Sequence, residues 1–139
     1  GADIVYGSHP HVLQQIDEYN GGYIVYSLGN YSFGGNTSPR DRDTAIVQFT
    51  VKRDVDGTVS VEGWEAIPCR LSSTASYNDY RPEPYEEGSE EYERTMSKLL
   101  GTFTGPDLTI DYSQYHDQPE DTAAPETAAE ASPETAPDG

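Results

Sequence analysis

Two of the chain's three histidines stand as His9-Pro10-His11, directly after the short apolar run Ile4-Val5-Tyr6. Neutral imidazole is a ligand for Zn, Mn, Fe or Ni. In an extended segment residues i and i+2 point to one side, and Pro10 restricts the backbone between them, so both rings can converge on one cation. The same short pattern also describes two loop histidines bonded only to solvent and backbone. A catalytic metal site generally takes three protein ligands, and neither Asp3 nor the distant His116 completes such a set from spacing alone.

The second candidate is the stretch from Gly29 to Asp43, fifteen residues rich in Gly, Asn and Ser. Its glycines permit close backbone approach, and Asn30, Asn36, Arg40 and Arg42 offer hydrogen bonds suited to a carboxylate or phosphate. A loop of that length in a compact domain tends to be functional; the plainer account is two Arg–Asp surface pairs on a turn. Asp41-Arg42-Asp43 and Asp54-Val55-Asp56-Gly57 look like pieces of a calcium loop but lack its twelve-residue series of ligands. Cys69, the only cysteine, cannot form an internal disulfide and reads as a small buried hydrophobe rather than a nucleophile.

These residues must be positioned by a small, acidic chain. With 25 Asp+Glu against 8 Lys+Arg and a net charge of -17, binding nucleic acid through a basic face is excluded. Of the 23 Leu, Ile, Val and Phe residues, 18 lie in the first 71 positions, so a structured front precedes a polar end. The run from Ala2 to Tyr6 predicts a strand buried on both faces. Val12 to Tyr19 and Tyr23 to Leu28 predict a hairpin about Asn20-Gly21-Gly22, because Asn-Gly tolerates positive φ. Thr44 to Arg53 alternates, with Val47, Phe49 and Val51 on one face. Asp54 to Gly57 is the turn, and Thr58 to Leu71 returns with Val59, Val61, Trp64 and Ile67 inward, Gly63 or Pro68 marking a bulge or an end.

Ser72 to Tyr85 reads as a polar connection. Ser89 is an N-cap for a helix whose apolar positions are Tyr92, Met96, Leu99 and Leu100, stopped at Gly101. Residues from Asp117 onward are Ala, Pro, Glu and Thr, with Pro-Glu-Thr-Ala at 125 and again at 133. Such a composition cannot bury a core and predicts a disordered acidic tail. The absence of an initiator Met, with a strand beginning almost at once, suggests the C-terminal piece of a longer protein.

The segment Gly1-Ala2-Asp3-Ile4-Val5-Tyr6-Gly7-Ser8-His9-Pro10-His11-Val12-Leu13-Gln14 resembles the last metal-site block of the poly-gamma-glutamate capsule biosynthesis proteins of CapA type. Tyr26-Ser27-Leu28-Gly29-Asn30-Tyr31 is similar to that family's next block. Phe33-Gly34-Gly35-Asn36 through Asp41-Arg42-Asp43-Thr44, and Ile67-Pro68-Cys69 with Asn78-Asp79-Tyr80-Arg81-Pro82, follow in order. The resemblance covers about residues 1–104 and leaves 105–139 as the acidic tail.

That family is similar to the calcineurin-like metallophosphoesterases. The resemblance implies an α/β fold: the C-terminal portion of a four-layer αββα sandwich, here mainly β-hairpins plus one helix. It implies that His9 and His11 are metal ligands in a site holding two divalent ions in the intact protein, Mn, Fe or Zn, although Ser8 separates Gly7 from the first histidine. Such a site suits hydrolysis of a phosphoester or an amide. The family's earlier blocks, with Asp, Asn and His ligands, have no counterpart here, so no catalytic residue is assigned and this stretch alone is expected to be inactive. Polyglutamate or a phosphoester is the implied substrate, with Arg40 and Arg42 as candidates to hold its carboxylates. Membrane-bound capsule synthesis subunits are the implied partners, at the bacterial cell surface behind an N-terminal anchor. The competing class is a non-catalytic surface subunit that binds the polymer.

Overall fold

The structure, a computed structural model, describes residues 1–109, which are mainly strand with one helix. The tail from 110 onward, including His116, lies outside the described residues. Strands β1 (Ile4–Tyr6), β2 (Ile16–Tyr19) and β3 (Gly22–Val25) form a sheet in the order β1-β3-β2, with β3 parallel to β1 and antiparallel to β2. Asn20 and Gly21 make the expected two-residue turn with φ of 51° and 77°, the positive values that such a turn demands at both positions. A Cβ on Gly22 would lie 2.5 Å from the Asp3 carbonyl oxygen, so only glycine lets β3 approach the entry to β1 this closely.

Two expectations for this sheet are corrected. The hairpin is shorter than Val12–Tyr19 and Tyr23–Leu28, because the chain around Leu13 and Leu28 leaves the ladder, keeping one isolated bridge between them. β1 is not buried on both faces: Val5 is 47% and Tyr6 62% exposed, adjacent residues that point to opposite faces of the sheet, and among the described residues the strand is also an edge, paired by β3 alone.

Strands β4 (Asp43–Arg53), β5 (Val59–Arg70) and β6 (Glu83–Pro84) form the second sheet, all antiparallel. β6 falls inside the stretch expected to be only a polar connection. In β4 the alternation holds as far as Phe49, with Val47 and Phe49 inward and Ile46 and Gln48 exposed, whereas Val51, beyond the packed part of the ribbon, is 56% exposed. β5 departs from it. Thr50 faces Gly63 while Val51 faces Val61, leaving Glu62 as the extra residue of a bulge. The bulge reverses the parity of everything beyond it, so Trp64 and Ala66 join Val61 on the inner side and pair with Phe49 and Val47. Ile67 is therefore 40% exposed rather than inward, and Val59, past the end of the packed region, is 47% exposed.

Helix α1 (Glu90–Leu99) begins at Ser89, whose Oγ accepts the Tyr92 N–H at 3.2 Å. It stops at Gly101, φ 68°, where the Thr102 N–H reaches Ser97 O and the Gly101 N–H reaches Lys98 O. These two bonds close the last turn and match the glycine-dependent C-terminal motif. α1 packs on β4 and β5. The core is Leu13, Ile16, Val25, Ala45 and Leu99, with Phe49, Trp64 and Met96 partly buried around it.

Candidate functional site

β1 runs directly into the histidines. Its extension Gly7 donates to Val25 O at 2.7 Å, and a Cβ there would stand 2.5 Å from Tyr26 O, so the chain passes the sheet only as glycine. The backbone then leaves the extended geometry that the i, i+2 reading assumed: His9 has φ 115° and His11 φ 57°. Non-glycine residues held in such regions cost of order 1–3 kcal/mol each, a strain that collects at functional sites. Despite the changed backbone, both rings border one depression together with Ser8, Asn30, Tyr31 and Phe33. Their centroids are 6.4 Å apart, tilted by 44°. Two imidazoles sharing one tetrahedral ion would have centroids about 5 Å apart, a closure of roughly 1 Å from the arrangement seen.

His11 has a partner that the sequence did not announce. Its Nδ1 lies 2.7 Å from Asn30 Oδ1, and the Phe33 ring lies 4.7 Å from its own, centroid to centroid. When Nδ1 carries the proton the amide oxygen accepts it, and Nε2 keeps its lone pair. Asn30 is 4% exposed, and its Nδ2 is buried without a partner among the described residues. An unmatched buried donor costs about 1–3 kcal/mol. The donor set fits part of a divalent-metal site, two imidazoles where a catalytic ion takes three protein ligands. Among the described residues no three His, Cys, Asp or Glu side chains form a metal-holding group.

The loop after β3 supplies the other sequence candidates, and the structure separates them. Asn36 and Arg40, both exposed, border a second depression with Pro10, His11, Phe33 and Pro39, adjoining the first. Asn36 Oδ1 accepts the Ser38 N–H at 2.9 Å. Arg42 faces elsewhere: one guanidinium nitrogen donates to Thr74 O and Tyr77 O, each at 2.9 Å. Asn78 completes the tether, its N–H to Thr37 O at 3.1 Å and its Nδ2 to Asn36 O at 3.0 Å. The long loop is thus laced to residues 71–80 rather than free to move as a flap.

Beneath this loop lies a cluster that sequence reasoning missed. Asp41 and Asp43 are 3% and 2% exposed, not members of surface pairs. Lys98 Nζ donates to both, at 2.8 Å each. Arg94 grips Asp43 through Nε and a terminal nitrogen at 2.8 and 2.7 Å, and the Tyr85 hydroxyl donates to it at 2.8 Å. Asp41 Oδ2 accepts the Leu13 N–H at 2.9 Å, two residues past His11. Burial works against a charged Asp43, but the bonds from Arg94, Lys98 and Tyr85 outweigh it and hold its carboxyl below the ordinary range. Burial, then the Asp43 charge, pushes the Tyr85 hydroxyl up. The available sequence signal was Arg94 and Lys98 at i, i+4, two cations on one helix face. Cys69 is buried as expected, its thiol pushed up by desolvation.

Residues 1–35, which carry both histidines and Asn30, match the family described as bacterial capsule synthesis protein PGA_cap. The PGA biosynthesis protein CapA of Bacillus subtilis (strain 168) is 49% identical over 61 residues, which is 44% of this chain and 16% of that protein. The capsule biosynthesis protein CapA of Bacillus anthracis is 50% identical over 52 residues, 37% of this chain and 12% of that protein. The resemblance to CapA-type proteins read from the sequence is borne out, and the chain spans a small part of the length of the curated relatives it matches. No solved structure matches the chain. No helix among the described residues is long and apolar enough to cross a membrane.

Proposed function

We propose, from the kinship of its N-terminal segment with CapA-type capsule synthesis proteins, that this chain is the part of a capsule machinery protein that carries two metal ligands, His9 and His11. The observation that supports it most is the His11–Asn30 bond within the family-matched residues, at the end of β1 and beside His9. An imidazole anchored at one nitrogen by a buried side chain is the usual condition of a metal-ligating histidine.

The remaining ligands come, on this reading, from parts of the protein that this chain does not include, within a metallophosphoesterase-like sandwich. Divalent ions of Mn, Fe or Zn type, two per site, would supply an activated water and charge stabilisation for hydrolysis of a phosphoester or glutamyl amide. This chain's own residues hold and orient: His9 and His11 as ligands, Arg40 with Asn36 facing the adjoining depression where a carboxylate of polyglutamate would lie. Arg42 keeps the loop in place from behind. The protein would work outside the cytoplasm at the bacterial surface, alongside membrane-bound capsule synthesis subunits.

The test is the metal content of the full-length protein, by elemental analysis, for wild type and for His9→Ala with His11→Ala. Loss of metal in the double variant is the expected result. Unchanged content would overturn the metal-site reading and leave a non-catalytic polymer-binding subunit as the better account.

A further inference from the structure

We propose that Asn30 is a positioning residue that fixes His11 for metal ligation and does not touch substrate, an inference resting on the metal-site reading above. The side chain is 4% exposed, so a polymer lying over the loop cannot reach it. Its one side-chain bond is to His11 Nδ1, at 2.7 Å, and its Nδ2 has no partner among the described residues. Nothing else within them pins the amide, so its placement serves the imidazole.

The backbone under Asn30 is built to hold it there. Gly29 has φ 68°, and a Cβ on it would stand 3.2 Å from both Asp43 O and Leu13 N, so it is wedged between β4 and the segment that follows His11. The Thr44 hydroxyl fixes Leu28 O at 2.8 Å on the other side. With Oδ1 as acceptor, His11 carries its proton on Nδ1, and Nε2, across the ring from the amide, stays unprotonated. The reversed amide would put the proton on Nε2 and abolish the ligand.

The experiment uses the full-length protein, stripped of metal and titrated with Zn²⁺ alone, as wild type, His11→Ala, Asn30→Ala and Asn30→Asp. Histidine ¹⁵N shifts of the metal-free wild type give the His11 tautomer independently of activity. Asn30→Ala is expected to weaken Zn²⁺ binding about 10- to 100-fold, the usual effect of losing such a partner. Asn30→Asp, which still accepts the Nδ1 proton, is expected to stay within a few-fold of wild type, and wild-type His11 to be the Nδ1–H form. Unchanged Zn²⁺ affinity in Asn30→Ala, where His11→Ala loses it, would overturn this inference and spare the metal site. So would an Nε2–H tautomer. Full Zn²⁺ affinity in His11→Ala would overturn the metal-site reading itself. If Asn30→Ala does not fold, the Asn30→Asp affinity and the wild-type tautomer decide.

Discussion

Replacing Lys98 by Met removes one charge from the buried cluster while keeping the length of the side chain that packs around it. The Lys98 side chain is 7% exposed and its two carboxylate partners 3% and 2%. After the change Asp43 still has Arg94 and Tyr85, but Asp41 is left with backbone donors only, the N–H groups of Leu13 and Asp43. Removing one partner of a buried pair costs about 3–5 kcal/mol, a large part of the roughly 5–15 kcal/mol by which a domain is stable. Urea unfolding followed by Trp64 emission reads this as a lower midpoint at unchanged slope. The pH dependence carries the sign. Asp43 is held below the ordinary carboxyl value, so its contribution is complete above about pH 4 and is lost as pH falls through its folded value. Without Lys98 one of the bonds that lower it is gone, and the Asp43 carboxyl takes its proton at higher pH than in the wild type. The variant's deficit should therefore be full near pH 7 and shrink toward pH 4. A loss below about 1 kcal/mol, or one that stays constant over that pH range, would refute this account.

Gly29→Ala should destabilise by about 1–3 kcal/mol in the same assay, since it meets both a positive φ and backbone atoms at 3.2 Å; a neutral result would show that the junction can relax. Arg42→Ala should cost about 1–2 kcal/mol and speed proteolytic cleavage of the exposed residues 31–38, whereas Arg40→Ala should leave stability within about 0.5 kcal/mol. Equal effects at the two arginines would remove the division of labour assigned to them.

Features that rest on neighbouring residues were legible in the sequence. Asn20-Gly21 specifies its turn, the alternation about Asp54–Gly57 specifies the β4–β5 ribbon, and Ser89 and Gly101 bracket α1, because φ preference, side-chain period and capping are local chemistry. What could not be read is the choice of partners. Nothing in Ile4–Tyr6 says that it pairs with β3, and two residues such as Glu83–Pro84 are too few to show a period. The bulge at Glu62 was half visible through Gly63, but not its reversal of faces. At the site, residue types revealed His9 and His11, while their positive φ angles carry no signature in a non-glycine residue. The His11–Asn30 bond spans nineteen positions, and the burial of Asp41 and Asp43 is decided by a helix that comes after a whole intervening hairpin.

That helix bears on the order of events in folding. Lys98 meets Asp43 and Asp41 across 55 and 57 positions, and until it arrives neither acid has reason to leave water. Closing so long a loop is entropically unfavourable and slow compared with forming the β4–β5 ribbon, whose contacts are near in sequence. Asp41 in turn holds Leu13, so the segment carrying the histidines, although it precedes α1 by about eighty residues, is tied through Asp41 to that helix. The shape of the depression around His9 and His11 thus depends on a contact made far along the chain, by α1, and not on the residues that line it alone.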